Sequence, residues 1–432
     1  MTRTLLVVLV SLLAPLRLAA QDRAITLTNA LKLAQQTQPG VVQAQGLIQT
    51  SAAQRRSAWG AFLPSLTAGS SASDFFSEGA SHIDPVTGQV LSGNTTNRSL
   101  NASLRASVDL FTGFRRGADL KAARAGQIEA EAGLVDAKFA QDLATTNQFF
   151  DALSAAQLVG VRETSVRRAE EQLKVSVAKL HAGSATRSDS LRSLVTLGSA
   201  QLDLIQAQTD LATAEAGLAR LVGETGRVRA LDDSSFHQLA AMPDTAALRQ
   251  EAETKSPRVQ TAVAGANVAS ANLSASRAAY WPSLTLGANT SWNGSRANDY
   301  ALFNQRQLSL SLSWDIFNGF DRELAVAQRR ASLDVAEATA ADERRAVDAA
   351  LTQYLAQLES ARATIGITAT SVAAATEDLR VQQERYRLGA STIVDVLTSQ
   401  EALNQAEVDV VNARFNYLRA KAQLEALIGR TL

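Results

Sequence analysis

Thr186-x-x-Asp189 and Thr392-x-x-Asp395 each open three residues after a glycine, Gly183 and Gly389, and these two aspartates have the spacing that most invites a chemical role. The pattern is a capping box, in which hydroxyl and carboxylate bond the first free N–H groups of a helix and the carboxylate meets its positive end. Carboxylates repeated around a symmetry axis would instead ring a narrow mouth, focus the field there and favour cations. Both readings stay open at this stage. Other chemistry is scarce. His82, His181 and His237 are far apart and match no metal-ligand spacing, and the absence of Cys removes disulfides, thiolate metal sites and cysteine nucleophiles. No nucleophile–base–acid set and no Gly-rich phosphate loop is present, so an enzyme is not expected and no cofactor is implied. Lys+Arg and Asp+Glu both total 42, which leaves no basic surplus for nucleic acid.

The elements that position the two aspartates come in duplicate. Residues 1–20 read as a secretory leader, with Arg3, the apolar run Leu5 to Leu13, and Leu18-Ala19-Ala20 before the cut. The remaining chain repeats itself. Pro39 matches Pro257, and Phe62-Leu63-Pro64-Ser65-Leu66-Thr67 matches Tyr280-Trp281-Pro282-Ser283-Leu284-Thr285, at an offset of about 218 residues. Asp109-Leu110-Phe111-Thr112-Gly113-Phe114 matches Asp315-Ile316-Phe317-Asn318-Gly319-Phe320, and Gly183 matches Gly389, at an offset of about 206. One length change, in the loop before Arg98, reconciles the two. The domain reading is thus 21–223 for the first repeat, 224–256 for a connecting belt and 257–432 for the second.

After Pro64 and Pro282 the hydrophobic period changes from helical to alternating, because proline has no N–H and pushes its predecessor out of helical conformation. Leu100, Ala102, Leu104, Ala106 and Val108 alternate with Asn101, Ser103, Arg105 and Ser107. Strands are expected at about 65–76, 99–111, 283–292 and 307–317, each long enough to cross a bilayer as tilted β. Tyr280, Trp281, Trp292 and Trp314 fall near strand ends, where a membrane interface would want them. A water-soluble two-sheet sandwich would show the same alternation.

Gly113 and Gly319 turn the strands into helices of about 68 residues, roughly 100 Å each. In the second, Val347, Leu351, Tyr354, Leu358, Ile365, Val372, Leu379 and Tyr386 follow a coiled-coil seam. The closing helix, about 393–428, carries two apolar stripes, which implies two neighbours, as in a ring of helices or on the broad face of a four-helix bundle.

Four strands cannot close a membrane barrel, and a sheet edge in lipid leaves polar backbone groups unsatisfied at several kcal/mol each. The chain must therefore oligomerise. Two copies give eight strands with a filled interior, whereas three give twelve and can enclose a passage. The fold class is mixed and mostly α, with long coiled-coil helices forming a tunnel and four strands per chain entering a trimeric 12-stranded barrel.

The leader, the duplicated Pro–strand and strand–Gly–helix blocks, and the Tyr386-Arg387-Leu388-Gly389-Ala390-Ser391-Thr392-Ile393-Val394-Asp395-Val396-Leu397 turn resemble the TolC-type outer-membrane efflux channel family across essentially the whole mature chain. The resemblance implies a homotrimeric exit duct in the outer membrane of a Gram-negative bacterium, reaching into the periplasm. It implies a periplasmic adaptor and an inner-membrane pump of the RND or ABC class as partners. It also implies a constriction at Asp189, Tyr386, Ser391 and Asp395, in which a phenol hydroxyl bonds a carboxylate. Ser391 stands where the family has an arginine, and Thr398 where a second aspartate usually follows. Adaptor docking is implied for Arg387-Leu388-Gly389 and for Leu180-His181-Ala182-Gly183, the latter lacking the arginine. Two rivals remain: a trimeric adhesin, which would keep its four strands together in sequence, and a soluble helical periplasmic scaffold.

Overall fold

The computed structural model describes residues 23–91, 93, 95–239, 244–295 and 299–432; the expected leader, Asn94 and the Met242-Pro243 pair lie outside them. In chain order the elements are β1 (Arg23–Ile25), α1 (Leu27–Thr37), α2 (Pro39–Gly60), β2 (Ser65–Ser77), β3 (His82–Ile83), β4 (Val90–Leu91), β5 (Thr95–Thr112), α3 (Arg115–His181), α4 (Arg187–Val222) and β6 (Val228–Ala230). There follow a 3-10 turn at Ser234–His237, α5 (Thr245–Lys255), α6 (Pro257–Ser276), a second 3-10 turn at Arg277–Tyr280, β7 (Ser283–Ser295), β8 (Phe303–Ser313), α7 (Asp321–Arg387) and α8 (Ile393–Ile428). The chain is mostly helical with one four-stranded antiparallel sheet. Among the described residues, no helix is long and apolar enough to cross a membrane.

Compaction does not follow the sequence repeats. Of the described residues, one unit comprises residues 23–42, Ala137–Ala252 and Ala349–Leu432, the other Gln43–Asp136 and Glu253–Asp348, so each draws on both halves. The reason lies in the long helices: α3 and α7 each contribute one part to either unit.

The second unit holds the sheet, ordered β2-β5-β7-β8. Its register gathers side chains by type. Ala68 faces Leu104, Ala106 faces Ala288, Val108 faces Leu286, and Leu286 faces Leu310, all on one face. Ser71 and Asn101, Arg105 and Asn289, and Asn289 and Gln307 pair on the other. Side chains alternate across a strand, so the period-two sequence produces one apolar and one polar surface. Leu308, Leu310 and Leu312 remain largely exposed on the apolar surface. The fourth strand, expected at 307–317, instead spans Phe303–Ser313. Its partner β7 begins at Ser283, directly after Pro282, so residues 314–317 have no strand within the chain to pair with.

The strand-to-helix junctions are duplicated in detail. Gly113 and Phe114 have φ of 60° and 68°, and Gly319 and Phe320 have φ of 68° and 69°, a left-handed pair that turns the chain sharply. Each Phe packs edge-on against the aromatic three residues before it, Phe111 at 5.3 Å and Phe317 at 5.4 Å. Arg116 stacks 5.0 Å from the Phe62 ring centroid and donates to the Leu110 carbonyl at 3.2 Å, where β5 bulges. Arg322 does the same with Tyr280 at 4.9 Å and the Ile316 carbonyl at 3.0 Å. The arginine satisfies a carbonyl that the ladder leaves free.

In the first unit β1 pairs in parallel with β6, and α1 is pinned by Gln35 Nε2, which donates to both carboxylate oxygens of Asp142 at 2.7 and 2.9 Å. Both stripes of α8 are buried within the chain, Leu403, Ala413, Tyr417 and Leu424 on one, Val411, Phe415 and Leu418 on the other.

Candidate functional site

The two helical turns of the first unit carry the expected site. α3 ends on Gly183 (φ 69°) and α7 on Gly389 (φ 79°), left-handed positions that glycine adopts without a Cβ penalty. Each closes a Schellman motif: Ser184 N donates to Lys179 O at 2.9 Å, and Ala390 N to Arg385 O at 2.8 Å. The next helices restart on Thr186 and Thr392, both extended, with a complete capping box at each.

Asp189 and Asp395 are engaged in those boxes. Thr186 N donates to Asp189 Oδ2 at 2.9 Å, and Thr392 N to Asp395 Oδ2 at 2.9 Å. The Thr392 hydroxyl adds a bond of 2.8 Å to the latter. The backbone N–H of Thr392, then its hydroxyl, hold the Asp395 carboxyl below the usual carboxylate range, with Arg385 nearby adding to the effect.

Tyr386 is 6% exposed and belongs to an apolar cluster with Leu379, Ile393, Val396 and Leu403. Its hydroxyl has no hydrogen-bond partner among the described residues, so the expected phenol–carboxylate bond to Asp189 is not formed. The neighbouring polar groups bond elsewhere. Asp189 is committed to Thr186, and the nearby Ser176 hydroxyl is committed to Ser193 Oγ at 2.8 Å and to Gln172 Nε2 at 3.3 Å. Burial pushes the phenol above its ordinary pKa, with the nearby Ser176 hydroxyl partly opposing the shift and the Asp189 charge adding slightly to it. Ser391 Oγ reaches back to Gln382 O at 3.5 Å and makes no bridge to Asp189.

Lys179, absent from the sequence reading, takes the position beside Tyr386. Its ammonium lies 4.3 Å from the ring centroid and donates to the Tyr386 carbonyl. The repeat holds the signal: the offset of about 206 residues pairs Lys179 with Arg385, which caps its own turn through Ala390 O at 3.3 Å. A second polar tie was also missed. Arg168 donates to Glu407 Oε1 at 2.8 Å and to Asn404 Oδ1 at 3.0 Å, joining α3 to α8.

The docking residues lie at the surface. Leu180 is half-buried; His181, Gly183, Arg387 and Gly389 are exposed, and Leu388 is 72% exposed. Arg387 Nε pairs with Glu384 at 3.0 Å. Of the junction residues, Pro64 and Pro282 precede β2 and β7, and Gly113 is the tightly packed one. A Cβ there would meet Ala278 O at 2.6 Å and Trp281 Cβ at 2.7 Å, whereas one at Gly319 would meet nothing within 4 Å. Among the described residues, no group of His, Cys, Asp and Glu could hold a metal ion.

Residues 30–224 and 248–430 match the outer membrane efflux protein family. The chain belongs to this family. Outer membrane efflux protein BepC of Brucella suis is 27% identical over 286 residues, 64% of this chain and 62% of that relative. Outer membrane protein TolC of Escherichia coli is 22% identical over 319 residues, 70% of this chain and 64% of TolC. The solved structure of CusC superposes with a TM-score of 0.81 at 18% identity, covering 94% of this chain and 92% of CusC. An outer membrane efflux protein is a transport protein and not an enzyme. The TM-score shows that the split pairs of strands and the long helices are the fold of such channels.

Proposed function

We propose that the chain is one third of a trimeric exit duct in the outer membrane, which conducts its substrates passively across periplasm and outer membrane. The observation that carries the reading is the sheet. It has one apolar and one polar face, and its outer strands β2 and β8 each have an unpaired edge. In lipid such edges are untenable, and three copies joined β8 to β2 close twelve strands around a polar interior. The apolar band on β5, Leu100 to Val108, is about 27 Å of strand, or roughly 20 Å tall once tilted, close to the height of a barrel's lipid belt. Family membership supports the same reading.

A periplasmic adaptor and an inner-membrane RND or ABC pump complete the pathway in this proposal, with the exposed Arg387-Leu388-Gly389 and Leu180–Gly183 turns as adaptor contacts. Asp189, Tyr386, Ser391 and Asp395, together with Lys179, form the constriction. The test is reconstitution of the purified full chain in a planar bilayer, with its mass measured in detergent. A trimer that conducts ions supports the duct; a monomer, or a trimer without conductance in any variant of the tip, refutes it.

A further inference from the structure

A groove of 260 Å³ between the last turns of α2 and the first turns of α3 is lined by Arg55, Arg56, Trp59, Leu120 and Arg124. Arg55 and Trp59, and Leu120 and Arg124, are four residues apart, so each helix turns one cation and one apolar side chain onto the same stripe. The three arginines are exposed, as is the indole at 58%. Among the described residues none of the three has an ion pair, and the nearby Asp119 carboxylate is taken by Arg115 at 3.5 Å.

The internal repeat shows that the scaffold does not need this cluster. The positions matching Arg55 and Arg56 are Leu273 and Ser274, and that matching Trp59 is Arg277. Arg330 matches Arg124 but is neutralised by Asp334 at 3.1 Å; the first repeat has Ile128 where that aspartate would be. Three uncompensated guanidiniums around an indole therefore answer to something outside the chain. Their level in the fold says what. Arg55 lies five residues before the end of α2 and Arg124 nine residues into α3, about 8 and 14 Å along their helices from the sheet junctions. Side chains of this length reach the interfacial layer next to the hydrocarbon, where Arg and Trp settle together.

We propose that this groove holds the headgroup of an anionic glycerophospholipid, its phosphate on Arg55, Arg56 and Arg124 and its glycerol–acyl junction against Trp59 and Leu120. The assignment rests on the membrane reading above. Guanidiniums suit a phosphate because their planar fork matches its oxygens, and the apolar half of the groove suits an amphiphile better than a free ion.

The test uses the full chain in nanodiscs of phosphatidylcholine with and without phosphatidylglycerol, with the lipids retained after stepwise delipidation counted by native mass spectrometry. The wild type should keep phosphatidylglycerol over phosphatidylcholine. Arg124→Gln should weaken that preference about fivefold, and Arg55→Gln with Arg56→Gln and Arg124→Gln on the order of a hundredfold. All three positions are exposed, and Arg124→Gln alone decides the matter if the triple variant does not assemble. Equal retention of both lipids, an unchanged preference in Arg124→Gln, or displacement by inorganic phosphate as effective as by phosphatidylglycerol overturns the site. A chain that never enters the disc overturns the membrane reading and this site with it, a failure distinct from insertion without lipid preference.

Discussion

Lys179 engages Tyr386 twice, with its ammonium 4.3 Å from the ring centroid and a hydrogen bond to the Tyr386 carbonyl. Tyr386 is itself packed against Ile393, Val396 and Leu403, so one lysine ties α3 to the α7–α8 pair while the phenol hydroxyl has no hydrogen-bond partner among the described residues. A cation over a ring contributes about 0.5–2 kcal/mol, depending on desolvation. Lys179→Met should therefore raise the conductance of the isolated channel in a planar bilayer, and Lys179→Arg should restore most of the wild-type value. Tyr386→Phe should leave conductance unchanged and stability within about 1 kcal/mol, because it deletes a buried hydroxyl that has no partner. A rise in Tyr386→Phe with none in Lys179→Met would assign the closing contact of the constriction to the hydroxyl instead.

Asp395 links cap and charge. Its carboxyl is depressed below the ordinary carboxylate range, first by the Thr392 N–H. A depressed group contributes its stability above the unfolded pKa, and the contribution is lost as pH falls through the folded value, here below about pH 4. Hydrogen-exchange protection of the first turn of α8 should therefore drop in that acid range, and Asp395→Asn should flatten the step. The same variant separates the two roles left open by the spacing. In a KCl gradient, a reversal potential that moves towards zero places the carboxylate on the ion path; an unaltered potential leaves it as a cap.

What could be read from the sequence follows the kind of physics involved. The alternation of Leu100 to Val108 and the left-handed glycines at 183 and 389 are local constraints, visible residue by residue. Pairings set by packing were not. Lys179 sits in the last turn of a helix, where a lysine already has a sufficient local reason, so nothing marks it as the partner of a residue about two hundred positions away. The three-residue β1 and β6 are too short for any period. Ser313 as the end of β8 depends on where its neighbour starts. Asp189 was expected on Tyr386, but its carboxylate closes the capping box of its own helix through Thr186 N instead.

Gly113 and Gly319 are equivalent in the repeat and unequal in the chain. Both have positive φ, which costs a Cβ-bearing residue about 1–2 kcal/mol, but only Gly113 is pressed against Ala278 and Trp281. The equivalents of those two neighbours are Gly60 and Leu63, and in a closed ring they would come from the next chain. Gly113→Ala should impair insertion and folding of the chain, whereas Gly319→Ala should fold and fail at assembly. Monomer and trimer yields on mild native gels distinguish the two; equal trimer yield for Gly319→Ala and wild type would mean that nothing approaches that glycine.

The repeat also fixes how the open edges should meet. Within the chain Arg105 pairs with Asn289 and Ser107 with Gly287 across β5 and β7. Carrying β5 forward by about 206 residues and β7 back by about 218 transfers that register to β8 and the β2 of the next chain. Ser311 then faces Ser71 and Ser313 faces Gly69, with both serines of the first pair on the polar face. The chain contains no cysteine, so a double variant has no background thiol. Residues directly opposite in an antiparallel pair have Cβ atoms about 4.5–5.5 Å apart, within reach of oxidation or a short bis-maleimide. Ser71→Cys with Ser311→Cys should therefore give covalent dimers and trimers on denaturing gels, while either single variant should not. Ser71→Cys with Gln307→Cys keeps the same face but is displaced by four residues, and should react far less. Equal reaction of the two double variants would show that the edges do not repeat the internal register, and the absence of reaction in both would leave β2 and β8 unjoined, which a membrane sheet could not survive.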